Sequence, residues 1–418
     1  MEANCRKVVV TGIGAITPLG RTADIFWKNL VAGKSGVGPM TLCDPTDYPC
    51  RIAGEVRDFD PGEYINPREA RRMARFSQLA VAAALMAVES AQLDMSREDP
   101  FRVGIILGNG NGGFPILEEN CRILAARGGM RMSPFFFPMV LPNMAAAAVG
   151  RYVGAKGYNT TATTACAASN QAMGEAMEII RRGVADVILA GGTEGGISQL
   201  GLAGFSVMRA LSTRNDDPGK ASRPFDAGRD GFVPSEGSVI LVLESLQHAL
   251  ARDATILAEL AGFGCTSDAS HLVQPEETGA SAAEAMRLAL ADAGEPLDGV
   301  DYINAHGTST PMNDAVETVA IKRLFGQRAY QVPISSTKSM VGHALGASGA
   351  LEAVACIKSI TEGKIHPTIN YEVADPACDL DYVPNKARKR DVRVALSNAF
   401  GFGGQNACLV FRQFEDAR

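Results

Sequence analysis

One cysteine lies where a protein chain can build a nucleophile. Cys166 stands in the segment TTACAAS, between a threonine-rich, β-branched stretch and an alanine-rich stretch of helical period. The unpaired N–H groups and the positive dipole end at a helix start favour thiolate over thiol, so this position predicts a lowered pKa for Cys166. A cysteine among alanines can also be a small buried hydrophobe. We give that second interpretation to the other cysteines, which are Cys5, Cys43, Cys50, Cys121, Cys265, Cys356, Cys378 and Cys408.

Two histidines could serve such a nucleophile. His306 lies in NAHGTSTPMND and His343 in KSMVGHALGASG, both in small-residue segments beside predicted elements. Imidazole is the side chain best suited to exchange protons near neutral pH. For His248, His271 and His366 we expect packing or surface roles. Two histidines and a cysteine could also ligate a metal ion, but no HxxxH, CxxC or HxxE spacing supports that alternative.

Two further patterns could bind ligands or partners. Gly108, Gly110 and Gly113 match the dinucleotide fingerprint, but no acidic residue ends a strand about 20 residues further on, so we predict no such cofactor. The arginines at positions 68, 71, 72 and 75 have the spacing of one helix face. That face is either a solvated surface or a docking site for an acidic partner, which suits arginine geometry.

Composition excludes several classes of protein. The chain has 418 residues, 46% of them hydrophobic, with a net charge of −6. This charge does not favour nucleic-acid binding, which needs a broad basic surface. No apolar stretch reaches the roughly 20 residues that span a bilayer, and no signal peptide opens the chain. Unpaired cysteines fit a reducing compartment, so we expect a cytoplasmic protein without a membrane segment.

The elements that must position these residues alternate along the chain. β-Branched runs predict strands at 7–11, 103–107, 187–190, 300–304 and 392–397, and alanine-rich segments predict helices at 77–92, 170–182, 280–293 and 347–361. The alternation predicts an α/β fold. A strand, a glycine turn, a polar helix entrance and a second glycine-flanked strand occur in the first half and recur in the second. Such a duplication would put Cys166 and His343 at related helix entrances.

The motifs TTACAAS, NAHGTSTPMND, SSTKSMVGHALGASGALE and SNAFGFGGQN, in this order, resemble the β-ketoacyl-acyl carrier protein synthases, type II branch. The resemblance covers nearly the whole chain. It implies a thiolase-like, five-layered α/β/α/β/α sandwich of two pseudo-symmetric halves, residues 1–255 with the cysteine and 256–418 with both histidines. The implied activity is acyl transfer to Cys166, followed by decarboxylative condensation with malonyl carrier protein in fatty acid synthesis.

The resemblance also implies roles for individual residues. Cys166 would carry the acyl group, and His306 and His343 would assist decarboxylation. Lys338 would pair with Glu352 and organise His306, while the backbone N–H groups of Cys166 and Phe402 would form an oxyanion hole. Phe402 would also gate the acyl pocket. The substrate-binding positions it implies are Thr308, Thr310, Asn111, Phe205 and Phe400.

Partners and ions follow from the same resemblance. It implies carrier-protein docking at Arg68, Arg71, Arg72, Arg131 and Arg209, together with Arg75. No metal or other cofactor is required, although a cation could bind near Asn304, Glu352, Ser397 and Asn398. A homodimer is expected, or a heterodimer with a chain-length-controlling homologue.

The sequence departs from the family pattern at the acyl pocket. Asn111 stands where long-chain members usually have an aliphatic residue, and Pro234 and Ser235 replace a leucine and a small or acidic residue. These differences leave open a catalytic ketosynthase subunit of a type II polyketide or polyene system. A non-catalytic chain-length-controlling subunit is disfavoured because Cys166 is present.

Overall fold

The structure is a computed structural model that describes residues 6–415. Cys5 lies outside the described residues. Strands occur at β1 (Val8–Ile16), β2 (Val37–Pro39), β3 (Ile52–Gly54), β4 (Val103–Gly108), β5 (Asn159–Ala162), β6 (Val187–Glu194), β7 (Gly237–Ser245), β8 (Ala258–Ser267), β9 (Tyr302–Asn304), β10 (Ile334–Ser335), β11 (Lys364–Ile365), β12 (Arg388–Lys389), β13 (Val394–Gly401) and β14 (Gln405–Arg412).

Helices alternate with these strands. They occur at α1 (Ala23–Val31), α2 (Pro67–Ala70), α3 (Arg75–Ser90), α4 (Phe114–Arg127), α5 (Phe136–Val140), α6 (Met144–Val153), α7 (Ala168–Arg181), α8 (Gln199–Val207), α9 (Leu246–Ala251), α10 (Ala280–Ala293), α11 (Pro311–Phe325), α12 (Lys338–Val341) and α13 (Ser348–Glu362). Every strand and helix predicted above is present, with ends shifted by a few residues.

The main sheet shows the predicted duplication in its strand order. Ten strands follow the order β10-β9-β13-β14-β8-β1-β7-β6-β4-β5. In the first half β4 pairs in parallel with β5 and β6, and β7 pairs antiparallel with β6 and β1. In the second half β9 pairs in parallel with β10 and β13, and β14 pairs antiparallel with β13 and β8. The halves join where β1 runs antiparallel to β8.

Helices complete five layers around these strands. The helices α7 and α13 contact each other and strands of both halves, so they form the central layer. On the outer faces, α3 and α6 cover the first half and α10 and α11 cover the second. The thiolase-like five-layered fold is therefore confirmed. The boundary between residues 255 and 256 would fall between α9 and β8, and it stays a prediction.

Burial explains why these segments fold as they do. The strands β1, β6 and β7 are buried at every position, as expected for strands covered on both faces. The central helix α7 carries small residues because it packs between the strands of the two halves. A Cβ at Gly174 would lie 2.3 Å from the Phe263 ring, so only glycine lets α7 approach β8 this closely. Among the described residues, no helix has the length and apolar character needed to span a membrane.

The arginine cluster does not lie on one continuous helix, the condition under which its four side chains would share a face. The helix α2 ends at Ala70 and α3 begins at Arg75, with Arg71 and Arg72 in the turn between them. Ala74 has an extended backbone, with ψ of 158°, which breaks the helix. The Arg75 guanidinium turns inward and makes an ion pair with the buried Glu236. Arg75 therefore does not share an exposed face with the other arginines.

Candidate active site

Cys166 lies in a short helical turn directly before the central helix α7. The turn spans Ala165–Ala167, and Ala165 has the left-handed backbone angle φ of +50°. That angle is uncommon for a residue with a side chain, and such strain is typical of functional sites. Cys166 is 6% exposed. The predicted helix start is confirmed.

His343 reaches this cysteine from the second half of the fold. Its Nε2 lies 3.1 Å from the Cys166 sulfur, and its Nδ1 lies 2.9 Å from the Ser348 hydroxyl oxygen at the start of α13. The Phe232 ring packs edge-on against the imidazole, with ring centres 5.2 Å apart. The His343 ring is thus held from two sides and aligned with the sulfur.

His306 follows β9 and belongs to a chain of buried charged groups. The Lys338 ammonium lies 3.3 Å from His306 Nδ1 and also makes a close ion pair with Glu352. The backbone N–H groups of His306 and Gly307 donate to the Glu317 carboxylate, at 2.9 and 2.8 Å. These contacts hold the His306 loop by its backbone and the ring by its Nδ1 side.

The structure brings the cysteine and both histidines together. The sulfur and one ring nitrogen of each histidine all lie within 4.8 Å of one another, and the rings of His306 and His343 are 5.4 Å apart. Positions that are distant in sequence thus form one cluster across the two halves. Its donor atoms suit either nucleophilic catalysis or a soft metal ion, the alternative that the residue types left open.

Burial controls the protonation of this cluster. It raises the pKa of the Cys166 thiol to about 12, although the nearby Lys338 charge and the Phe402 backbone N–H act in the opposite direction. The predicted lowering of the Cys166 pKa is therefore wrong, because loss of solvation outweighs the charge and hydrogen-bond contributions. Burial, followed by the Lys338 charge, also lowers the pKa of both histidines well below the ordinary value. The resting site thus holds a neutral thiol beside neutral imidazoles.

A cavity of about 440 Å³ leads to these residues. Thr308 and Thr310 line it, and their hydroxyl oxygens lie 2.8 Å apart. The remaining residues expected to bind substrate also line this cavity, namely Asn111, Phe205 and Phe400, as does Phe402, the expected gate. Cys166 therefore does not face sealed hydrocarbon.

The loop after β13 approaches the nucleophile closely. A Cβ at Gly401 would lie 3.1 Å from the Cys166 backbone nitrogen and 2.6 Å from the Thr164 carbonyl oxygen, so a larger residue would push the two segments apart. This approach brings the Phe402 N–H to the Cys166 sulfur. The Gly403 N–H donates to the Leu272 carbonyl at 2.8 Å, which ties the loop to the cavity mouth.

Sequence reasoning missed three residues of this site. Ser348 contacts His343, Glu317 holds the His306 loop, and Phe232 packs on His343. Ser348 had a detectable signal, because it begins the alanine-rich helix after the His343 segment. Glu317 and Phe232 had none, since their contacts arise only in the folded chain.

The residues named for a cation present unpaired oxygen atoms. Asn304 Oδ1, Glu352 Oε2, Ser397 Oγ and Asn398 Oδ1 are buried and have no hydrogen-bond partner among the described residues. Ser397 lies opposite Asn304 in the pairing of β13 with β9, and α13 packs on β13. Carboxylate, amide and hydroxyl oxygens are ligands for hard cations. Asn304, Glu352 and Ser397 therefore fit a cation, whereas the Asn398 amide lies on the other face of β13, against Met286 of α10 and Glu317 of α11.

The arginines expected to dock a carrier protein lie at the surface. Arg68, Arg71, Arg72, Arg131 and Arg209 are all exposed. The Arg72 guanidinium lies 4.8 Å from the centre of the Phe135 ring, and Arg209 also lines the cavity.

The buried-hydrophobe interpretation is wrong for Cys121 and Cys265, which are exposed on α4 and near the end of β8.

Comparisons with known proteins identify the family of this chain. Residues 5–249 match the beta-ketoacyl synthase N-terminal domain, and residues 257–372 match the beta-ketoacyl synthase C-terminal domain. The chain belongs to the beta-ketoacyl synthase family. A relative from Synechocystis sp., named 3-oxoacyl-[acyl-carrier-protein] synthase 2, is 49% identical over 98% of this chain and 99% of its own length.

Solved structures share the fold. The ishigamide ketosynthase/chain length factor has a TM-score of 0.93 and 37% identity, covering 98% of this chain and all (100%) of its own. A type II polyketide synthase ketosynthase, bound to a hexaketide and in complex with its acyl-carrier protein, has a TM-score of 0.90 and 36% identity at the same coverage of 98% and 100%.

Proposed function

We propose that this chain is a condensing enzyme that transfers an acyl group to Cys166 and extends it by two carbons from malonyl carrier protein, in fatty acid biosynthesis. The observation that carries this proposal is the 3.1 Å contact between the Cys166 sulfur and His343 Nε2 at a substrate-sized cavity. The relative at 49% identity supports the fatty acid assignment. The ishigamide ketosynthase/chain length factor and the type II polyketide synthase ketosynthase are less similar, at 37 and 36% identity.

In the first half-reaction, the thiol must lose its proton as it attacks. His343 Nε2 accepts the proton while the sulfur bonds to the thioester carbonyl carbon. The backbone N–H groups of Cys166 and Phe402 donate to the oxyanion. Collapse expels the pantetheine thiolate, which takes the proton back from His343. A neutral thiol and a neutral imidazole suit this transfer, because no separated charges need to be buried beforehand.

In the second half-reaction, malonyl thioester loses carbon dioxide and its electron pair moves into an enolate. Lys338 donates to His306 Nδ1, so the neutral His306 ring carries its own proton on Nε2 and can donate to the enolate oxygen. The enolate carbon then attacks the acyl carbonyl and displaces the Cys166 thiolate, which takes up one proton from water to restore the resting thiol. Ser348 can donate to or accept from His343 Nδ1, which lets His343 act as acceptor in one half-reaction and donor in the other.

The cation is assigned a supporting role. Asn304, Glu352 and Ser397 would hold it, and its charge would stabilise the buried Glu352 carboxylate. No catalytic step depends on it.

Acylation tests the nucleophile directly. Intact-mass measurement after mixing with acyl carrier protein should show one acyl adduct on the wild type and none on Cys166→Ser. Cys121→Ser, which alters an exposed cysteine on α4, is the matched control and should acylate like the wild type. An adduct that persists on Cys166→Ser would contradict the assignment.

An acyl carrier protein is the proposed partner, as in the solved ketosynthase complex. Carrier proteins are acidic, and the exposed arginines 68, 71, 72, 131 and 209 offer complementary charge. Assembly as a homodimer, or as a heterodimer with a chain-length-controlling homologue, belongs to the same proposal, as does a cytoplasmic location.

Charge reversal tests the docking residues. Changing Arg71 and Arg72 to glutamate should raise KM for carrier-bound substrate by about tenfold, the effect of losing charged contacts at an interface rim. KM for a small pantetheine thioester should not change. Arg287→Glu on the exposed face of α10 serves as the control. An equal rise with both substrates would remove these arginines from the docking surface.

A further inference from the structure

The substrate cavity ends at a partition of three side chains. Asn111, Phe205 and Leu345 line the main cavity and also a second cavity of about 20 Å³ behind it. A space of that size holds about one water molecule. An acyl chain that enters past Cys166 therefore stops at this partition unless one of the three side chains moves.

The small cavity behind the partition is partly polar. Glu194, Ser198 and Ser235 contribute to its wall. These groups are already paired, because the Glu194 carboxylate accepts from the backbone N–H groups of Gly110 and Gly346, at 2.9 and 3.2 Å. Ser198 and Ser235 donate to backbone carbonyl oxygens.

The Asn111 side chain is different. Among the hydrogen bonds of residues 6–415, none involves the half-buried Asn111 side-chain amide, although its backbone N–H donates to the Glu194 carboxylate at 3.3 Å. Gly196 leaves room for the Asn111 side chain, because a Cβ at position 196 would lie 2.9 Å from Asn111 Nδ2. An amide offers two donors and two lone pairs. If the end of a saturated acyl chain covered the Asn111 amide, the amide would lose its hydrogen bonds to water and gain none in return, which would cost free energy.

We infer that Asn111 makes the enzyme prefer acyl chains with a hydroxyl or carbonyl oxygen at the end remote from the thioester. A saturated chain of equal length would leave the amide unpaired. The inference rests on the proposed function and adds a substrate class to it. Phe205 and Leu345 would set the depth at which the oxygen must lie.

Matched substrate pairs test this inference. Each pair consists of a saturated acyl pantetheine thioester and its ω-hydroxy analogue, in a series of increasing chain length. The measurement is kcat/KM for acylation of Cys166, read by mass spectrometry. The ratio of the two kcat/KM values within a pair is unaffected by any change in thiol reactivity that a variant causes, because both members react with the same thiol.

The wild type should favour the hydroxy member by about tenfold at one chain length, the worth of about one hydrogen bond. Asn111→Leu, which keeps the volume and removes the amide, should bring that ratio to one or below. Arg287→Glu, which alters an exposed side chain of α10 outside both cavities, is the control and should retain the wild-type preference.

The outcomes separate the two proposals. A wild-type ratio near one at every length overturns the inference, as does a preference that survives Asn111→Leu. Because the wild-type series alone can refute it, a variant that fails to fold does not protect the inference. Absence of acylation by every member of the series would instead overturn the proposed function.

Discussion

The two helix entrances that meet at the site have the same backbone and different chemistry. Ala165–Ala167 precedes α7, Leu345–Ala347 precedes α13, and each turn begins with a left-handed residue, at φ of +50° for Ala165 and +44° for Leu345. Cys166 occupies the middle of the first turn. Gly346 occupies the middle of the second, and His343 lies just before it.

Packing explains why the second entrance carries no thiol of its own. A Cβ at Gly346 would lie 2.3 Å from the Gly110 backbone nitrogen, so no side chain fits there. The duplicated backbone therefore brings two similar turns to the same site, and the two turns carry different functional side chains. One half supplies the nucleophile and the other supplies the imidazoles.

Removing the imidazole of the second entrance should have the largest effect. We expect His343→Ala to slow acyl transfer to Cys166 by about 10³-fold, within the range for loss of a positioned acid or base. Single-turnover acylation, followed by mass spectrometry, measures this step. Acylation within a few-fold of the wild-type rate would show that Cys166 does not depend on its partner entrance.

Changing the other imidazole should separate the two half-reactions. His306→Ala should lower malonyl decarboxylation by about 10²-fold, because His306 donates to the enolate in that step alone. Acylation of Cys166 should fall much less. The two rates can be compared on one preparation by carbon dioxide release and by intact mass. Equal losses would place both histidines in the same step.

The packing asymmetry between the entrances predicts a smaller effect on stability. Gly346→Ala should lower the free energy of unfolding by about 1–3 kcal/mol, the usual cost of overpacking. Ala167→Gly at the first entrance is a reference for small changes in such a turn. Denaturant unfolding of both variants measures the difference. An unchanged midpoint for Gly346→Ala would mean that the second entrance is not so tightly packed against Asn109 and Gly110.

Local patterns predicted much of this molecule. Cys166, His306 and His343 were recognisable because each lies in a small-residue segment beside a predictable element. The duplicated strand order was visible as a repeated succession of element types. Motif similarity then led to the correct fold and family. These features depend on residues that are close in sequence, so the periodicity and composition of a segment are enough to predict them.

The failures share a cause in long-range contacts. The spacing would put Arg75 on one face with the other arginines only in a continuous helix, but the backbone breaks at Ala74 and the Arg75 guanidinium pairs with the buried Glu236. The lowered pKa of Cys166 was expected from a helix start. Burial by residues of the other half reverses it.

The amino-acid sequence by itself determined which side chains are available, the order of strands and helices, and the small residues that let segments approach. Only the tertiary structure decided that Cys166 and His343 lie 3.1 Å apart, that the thiol is protonated at rest, and that Asn111 stands unpaired at the cavity end. The physical reason is that distances, solvation and hydrogen-bond partners belong to pairs of residues far apart in the chain. No local pattern records them.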